Sequence, residues 1–363
     1  MDKKIRVGII FGGKSAEHEV ALQSAKNVID AINKEKYEIT LIGIDKEGRW
    51  QLNDRSHYLL NEQNPKLISL NKTENEVALI PGDNKFLDTF GNRKLETLDV
   101  IFPIIHGTNG EDGTIQGMLK LAGIPFVGAD VLGSAIGMDK DVAKRLLKEA
   151  GIPIADFVTV KKYELDKLDF EMVEEKLKYP MFIKPANAGS SVGVSKASNR
   201  KELVEGLEKA FLYDYKVLVE EFIKGREVEC AILGNENPIA SAIGEIIPTH
   251  DFYSYEAKYI DEKGALLEIP AKIDSEVVKK LQEIAIETYK TLCCEGMARV
   301  DFFLTEDGKA IINEINTIPG FTKISMYPKL WEVSGLSYEK LIDRLIELAI
   351  ERNERNSKLK NSF

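Results

Sequence analysis

The sequence predicts an α/β chain that opens on an open-sheet domain over residues 1–129, and three features carry that expectation. Ile5–Phe11 is a continuous apolar run broken only by Gly8, the pattern of a strand buried on both faces, and Gly12-Gly13 end it. Leu98–Ile105 repeats the pattern and is followed by Gly107, Gly110 and Gly113. Between and after these runs come helix signals, through Ala16–Ile32 and over Thr114–Ala122, a second strand at Tyr37–Ile44, and a short strand-like run at Ile124–Val127. Residues 45–95 are polar and turn-rich and read as an insertion of short strands. Farther on, Asp139–Ala150 reads as a helix, with Gly151 just past its end and Pro153 beyond as stop signals. Met181–Pro185, a glycine loop at Gly189–Gly193 and strand-like Val217–Phe222 follow. From Glu227 strands and helices alternate around a long aperiodic stretch, Glu245–Pro270. The last helix carries Leu341, Leu345 and Leu348 on one face.

Composition narrows the function. The chain has 363 residues, room for two or three domains at roughly 100–200 residues each. A formal charge of −10 offers no net positive field for nucleic acid or an anionic membrane, although it leaves room for a local cationic pocket. Of three cysteines, Cys293 and Cys294 are adjacent and Cys230 stands alone, so neither a disulfide framework nor a C-x-x-C metal site is indicated. The opening MDKKIRVGII runs directly into a strand, without the apolar stretch and cleavage site of a signal peptide. No run of about 18 apolar residues occurs, so a cytoplasmic location is expected.

The most informative segment is Arg299–Asn316. Asp307-Gly308 between apolar runs predicts a two-residue hairpin turn, which sets Glu306 against Lys309, Asp301 against Glu314 and Arg299 against Asn316. Side chains alternate faces along a strand, so all four of the inner residues share one face. Opposed carboxylates repel unless something positive lies between them. Asp, Glu and Asn offer only oxygen ligands, which suits Mg²⁺ completing its shell with substrate phosphates. The competing reading is a hairpin of solvated charges, or Arg299 paired with Asp301.

Two segments compete for those phosphates. Gly8–Ser15 satisfies G-x-x-x-x-G-K-[ST], but Ile9, Ile10 and Phe11 belong to the buried strand and leave too short a loop to wrap a phosphate. The better site is Lys184 to Gly193, where a strand delivers Lys184 and a Gly/Ser loop with Ser190 and Ser191 offers backbone N–H groups. Lys140, at the start of its helix, supplies a second ammonium; alone it would read as solvated surface.

Taken in order, these residues resemble the D-alanine–D-alanine ligases, from about Ile5 to Leu348. The segments that carry the resemblance are GGKSAEHEV at 12–20, HGTNGEDG at 106–113, GMDK at 137–140 and IKPANAGSSVG at 183–193, then VEEF at 219–222, YSYEAKY at 253–259, RVDFF from 299 and NEINTIPGFT ending at 322. Ala188 and Glu221 sit where relatives vary, and position 221 acts through its backbone. The resemblance implies an ATP-grasp fold: the α/β domain 1–129, then two α+β subdomains at 130–220 and 221–363 with nucleotide between them. It implies ATP as co-substrate and two Mg²⁺, which Mn²⁺ replaces, held by Asp301, Glu314 and Asn316. ATP contacts fall to Lys140, Lys184, Ser191, Glu220, Glu221, Ile223, Glu227, Lys258 and Asn313.

The implied reaction is formation of D-alanyl-D-alanine for peptidoglycan precursors by a cytoplasmic homodimer. One D-alanine carboxylate attacks the γ-phosphoryl of ATP, and the amine of a second D-alanine attacks the resulting acyl phosphate. Arg299 and the Gly320 N–H are placed by the resemblance at the oxyanion. Glu17 pairs with the first alanine's ammonium, within a network of Ser190 and Tyr259; helix N-terminal charge is its competing role. His106 falls near the first substrate, or serves as a satisfied loop histidine, and Ser325 meets the second alanine's carboxylate. The cysteines are expected to be packing residues. The stretch Glu245–Pro270, with Lys258 and three tyrosines, is expected to be a lid. Two rivals remain: a ligase that joins D-alanine to D-lactate or D-serine, and an ATP-binding module without catalysis.

Overall fold

A computed structural model describes residues 3–82, 85–89, 97–248 and 265–360. Three main sheets organise them. The first has the order β3-β2-β1-β8, from β1 (Ile5–Gly12), β2 (Tyr37–Ile44), β3 (Trp50–Asn53) and β8 (Val100–Ile104). β1 lies parallel between β2 and β8, and its apolar run is buried from Val7 onward, as a central strand requires. Helix α1 (His18–Ala31) covers this sheet, and two small ribbons, β4–β5 (Leu59–Leu60, Ser69–Leu70) and β6–β7 (Val77–Ile80, Lys85–Asp88), fill the polar insertion. The P-loop lookalike is therefore strand as far as Gly12, and Lys14 is exposed.

Ile124–Val127 forms no strand. It makes one parallel bridge, Ile101 to Phe126, because Pro125 has no N–H to extend a ladder. After α2 (Thr114–Ala122) comes a helix without a sequence signal, α3 (Val131–Met138). Its two glycines weaken helix propensity but allow close packing: a Cβ on Gly133 would lie 2.4 Å from the Cys293 carbonyl oxygen. α4 (Lys140–Glu149) starts where expected, with the Asp139 carboxylate accepting the Val142 N–H at 3.1 Å as N-cap.

The second sheet is antiparallel, β11-β10-β12-β9, from β9 (Phe157–Lys161), β10 (Met181–Pro185), β11 (Ser195–Ala197) and β12 (Lys216–Glu221), backed by α5 (Phe170–Leu177) and α6 (Arg200–Ala210). The third is also antiparallel, β15-β14-β13-β16-β17, from β13 (Arg226–Gly234), β14 (Ile239–Pro248), β15 (Ala265–Glu268), β16 (Gly296–Leu304) and β17 (Ala310–Asn316). Both ends of the stretch read as aperiodic are thus strand, in β14 and β15. Residues 249–264 of the expected lid, with Lys258 and Tyr259, lie outside the described residues.

α7 (Ser275–Thr291) covers one face of the third sheet, together with Ala143 and Leu147 of α4 and Ile152 just beyond it. α8 (Met326–Val333) and α9 (Tyr338–Ser357) join a core that also holds Val7, Ile9 and Val100 of the first sheet. Arg352 of α9 is 4% exposed, donates to the Phe126 and Gly128 carbonyl oxygens, and stacks on the Phe126 ring at 4.5 Å. No helix among the described residues is long and apolar enough to cross a membrane.

Candidate active site

The third sheet presents its chemistry on β16 and β17. Arg299 stands opposite Asn316 and Asp301 opposite Glu314, the expected partners. They are reached by a different route. Thr305 exchanges hydrogen bonds with Lys309, so the turn has three residues, Glu306–Gly308, with Gly308 at φ +75°. That shifts the pairing by one, and Phe302 faces Ile312. A β-bulge at Asn313 then restores the register before Asp301. The bulge also aims Asn313 and Glu314 into the same pocket, although they are consecutive residues.

Charges in the pocket are tightly paired. The Arg299 guanidinium donates to both oxygens of Asp301 at 2.7 Å, and its Nε lies 2.8 Å from Glu229. This is the Arg299–Asp301 pair that the sequence offers as a competing role. Asn316 donates to Asp301 at 3.0 Å, and Lys140 lies 3.3 Å from Glu314. Glu229, Asp301 and Glu314 form one row across β13, β16 and β17.

The second sheet contributes the lysine side. Lys184 of β10 donates to Glu220 of β12 at 2.8 Å and to Asn313 at 3.0 Å, linking the two sheets. Lys140 donates to the Ala188 carbonyl oxygen at 2.8 Å and so holds the Gly/Ser loop. Ser190 and Ser191 in that loop adopt φ of +50° and +60°. Glu221 accepts the Asp156 N–H at 2.7 Å, and Ile223 is half-buried after β12. Glu227 lines the pocket from β13.

Glu17 and Glu111 add two further carboxylates to the lining. Glu17 precedes α1 but makes no capping bond; instead its carboxylate accepts the Ser190 hydroxyl. Gly107, at φ +72°, packs against it so closely that a Cβ would lie 2.3 Å from Glu17 Oε2. Glu111 is buried beside it and accepts the N–H groups of Gly107 at 2.8 Å and Ile318 at 2.9 Å. Burial first, and then the Glu17 charge, push the Glu111 carboxyl well above the ordinary carboxylate range. Ser325 Oγ accepts the Thr322 N–H at 2.9 Å and crowds Gly320, where a Cβ would lie 2.6 Å away.

His106 is a neutral imidazole. Its Nδ1 must donate to the Ile318 carbonyl oxygen at 2.9 Å, which leaves Nε2 to accept from Ser24 at 3.0 Å. Burial drives its pKa down to about 4. Between there and the unfolded value near 6.5, the unfolded chain takes a proton that the native ring refuses. Its stabilising effect is therefore complete above pH 6.5 and declines as pH falls through 4, by about 3 kcal/mol in all. Urea unfolding followed from pH 7 to 4 should show a shallower decline in His106→Gln; an unchanged slope would remove His106 as its source.

Three residues of the site were not singled out from the sequence: Glu111, Glu229 and Lys144. Glu111 lies within the GEDG run, but only burial distinguishes it from Asp112. Glu229 and Lys144 stand two and four residues from Glu227 and Lys140, spacings that share a strand or helix face.

Two α+β units bridged by Lys184, behind an N-terminal mixed sheet, define an ATP-grasp enzyme. A family model described as the D-ala D-ala ligase N-terminus matches residues 6–129, and one described as its C-terminus matches residues 146–347. The D-alanine–D-alanine ligase of Oceanobacillus iheyensis is 61% identical over 361 residues, 99% of each chain. The solved D-Ala:D-Ser ligase VanG of Enterococcus faecalis is 40% identical at a TM-score of 0.84, covering 96% of this chain and 100% of that one. The Bacillus anthracis D-alanine–D-alanine ligase solved with ATP is 30% identical at a TM-score of 0.74, covering 98% and 100%. The chain belongs to the D-alanine–D-alanine ligase family, and it is a ligase.

Proposed function

We propose that this chain uses ATP to join two D-alanines through a D-alanyl phosphate, supplying D-alanyl-D-alanine for peptidoglycan precursors. The observation that carries the reading is one pocket lined both by Glu17 and Ser190 and by Arg299, Asp301, Glu314 and Asn316. An amino acid's ammonium suits the first group and a polyphosphate with its counter-ions suits the second.

Lys140, Lys184 and the Ser191 loop hold phosphates, with Asn313 and Glu220 orienting Lys184. The chain at Glu220, Glu221 and Ile223 reads adenine through its backbone, and Glu227 binds ribose. Asp301, Glu314 and Asn316 fit Mg²⁺ or Mn²⁺, because the set is all oxygen and its two carboxylates are directly opposed. Among the described residues no group of three or more His, Cys, Asp and Glu side chains is placed to hold a metal, and the ions implied by the family would take further ligands from phosphate oxygens. Bound there, the ions would supply charge neutralisation at the transferring phosphoryl group.

The carboxylate of the first alanine, fixed through its ammonium by Glu17, is aimed at the γ-phosphoryl. Ser190 keeps the Glu17 carboxylate oriented, and His106 lines the same pocket. Arg299 and the Gly320 N–H meet the oxyanion formed when the second amine attacks, and Ser325 holds that alanine's carboxylate. Lys258 and Tyr259 are assigned to the transferred phosphate and the Glu17–Ser190 network on resemblance alone. Phosphate release with ATP, Mg²⁺ and D-alanine, with the product identified, tests the whole. Turnover that requires D-serine or D-lactate in place of a second D-alanine would establish the rival ligase, and no turnover the non-catalytic module.

The division at residues 129 and 220 belongs to the same reading and is supported by one main sheet within each segment; Ala143, Leu147 and Ile152 cross it to fill the third sheet's core. A cytoplasmic homodimer is its remaining part. Exposed Met118 and Leu121 of α2 and Leu132 of the neighbouring α3 offer apolar surface for a second copy. Sedimentation showing only monomer at micromolar concentration would overturn the dimer.

A further inference from the structure

Lys144 is the most deeply buried lysine near the pocket, and the reading above gives it no task. It lies one turn after Lys140 on α4, so both ammonium groups approach the cleft from one helix. Lys144 Nζ stands 3.3 Å from Glu220 Oε1, and both side chains are 3% exposed. Glu220's other oxygen accepts from Lys184 at 2.8 Å. One carboxylate is therefore shared by two ammonium groups, one on each oxygen. The Lys144 contact is an ion pair without hydrogen-bond alignment: neither Nζ nor Oε1 has a hydrogen-bond partner among the described residues. The Phe157 ring, 5.9 Å from Nζ, borders it on another side.

A buried ammonium that forms no hydrogen bond is costly, and a structural ion pair of this kind adds little or nothing to stability. Its place beside Glu220 has a different consequence. Lys184 spends two of its three donors on Glu220 and Asn313, and a phosphate that takes the ammonium draws it away from Glu220. Without Lys144 that movement would leave a carboxylate unpaired at 2% exposure, and Lys184 would stay where it is. With Lys144 in place, Glu220 keeps a counter-charge when Lys184 leaves.

We propose that Lys144 is a positioning residue that releases Lys184 to the nucleotide phosphates by holding the charge of Glu220. The charge states agree with that arrangement. Burial pushes Glu220 up, but Lys144 and Lys184 together hold it below the ordinary carboxylate value. Burial pushes Lys184 down, but Glu220 with help from Glu314 and Glu227 holds it raised, whereas at Lys144 burial dominates and lowers it. Lys184 is thus the ammonium bound firmly to Glu220, and Lys144 is the one that waits.

The proposal rests on the reading that Lys184 contacts phosphate, and the test separates the two. Binding of ADP and of adenosine to the full-length protein is titrated calorimetrically for Lys184→Met, Lys144→Met, Glu220→Gln and their pairs. If Lys184 meets phosphate, Lys184→Met weakens ADP at least 10-fold and adenosine less than 3-fold; equal effects on both would overturn that reading. Given the first result, Lys144→Met should also weaken ADP about 10-fold with adenosine little changed. It should add nothing in the Lys184→Met background. Glu220→Gln removes the carboxylate that needs balancing, so Lys144→Met/Glu220→Gln should bind ADP as Glu220→Gln does. Equal loss of both ligands in Lys144→Met, independent effects of Lys144 and Lys184, or no rescue by Glu220→Gln would each reduce Lys144 to a packing residue. The double variant leaves no unpaired buried carboxylate, so it remains testable where Lys144→Met folds poorly.

Discussion

Glu314→Gln is expected to lower turnover about 100-fold or more while the fold survives. Glu314 faces Asp301 across the hairpin and lies 3.3 Å from Lys140, and the proposed function gives it to both the metal set and the phosphate side. Gln keeps the size and one oxygen but removes one of two anionic donors. The loss falls on charge that matters when phosphate is bound. Folding gains slightly, because two opposed carboxylates repel across a strand pair. Thermal unfolding should therefore be unchanged or shifted upward, and the rate should demand far more Mg²⁺ for half-saturation. Near-normal turnover at low Mg²⁺ would take Glu314 out of the metal site.

Glu17→Gln should raise the KM for the first D-alanine about 100-fold, the cost of removing one partner from a buried ion pair. Glu17 is 6% exposed, accepts the Ser190 hydroxyl, and shares its surroundings with Glu111. An incoming ammonium finds two acidic groups, of which Glu111 is already engaged by the N–H groups of Gly107 and Ile318. Glu17 is thus the group whose charge the substrate meets. ADP affinity should change less than twofold, since the proposed phosphate contacts are made by Lys140, Lys184 and the Ser191 loop. A KM for D-alanine within threefold of the parent's would assign its ammonium elsewhere.

Periodicity made the first sheet legible, because strands buried on both faces write continuous apolar runs. α3 was hidden by the glycines that let it pack closely, and Pro125 reduced a strand-like run to one bridge. At the hairpin, two departures cancel. A turn one residue longer than Asp307-Gly308 suggests, and one extra residue at Asn313, together return Asp301 to Glu314. Alternation could place the carboxylates but not the bulge, which depends on how Asn313 meets Lys184 on another sheet. Lys144, Glu111 and Glu229 escaped for a related reason. Their character comes from burial beside an opposite or like charge many residues away, and nothing local records that.

The packing of α9 sets the order in which the chain can be finished. Leu341, Ile342, Leu345 and Ile346 share one core with Val7, Ile9 and Val100, and Arg352 ties off the carbonyl groups of Phe126 and Gly128. A chain emerging from the ribosome presents the first sheet more than two hundred residues before the helix that seals it. Until then, apolar surface of the nascent N-terminal region stays open to other chains. Completion of that region is therefore a late event of synthesis, and the part of the pocket that holds Glu17 and Glu111, on loops of the same region, matures with it.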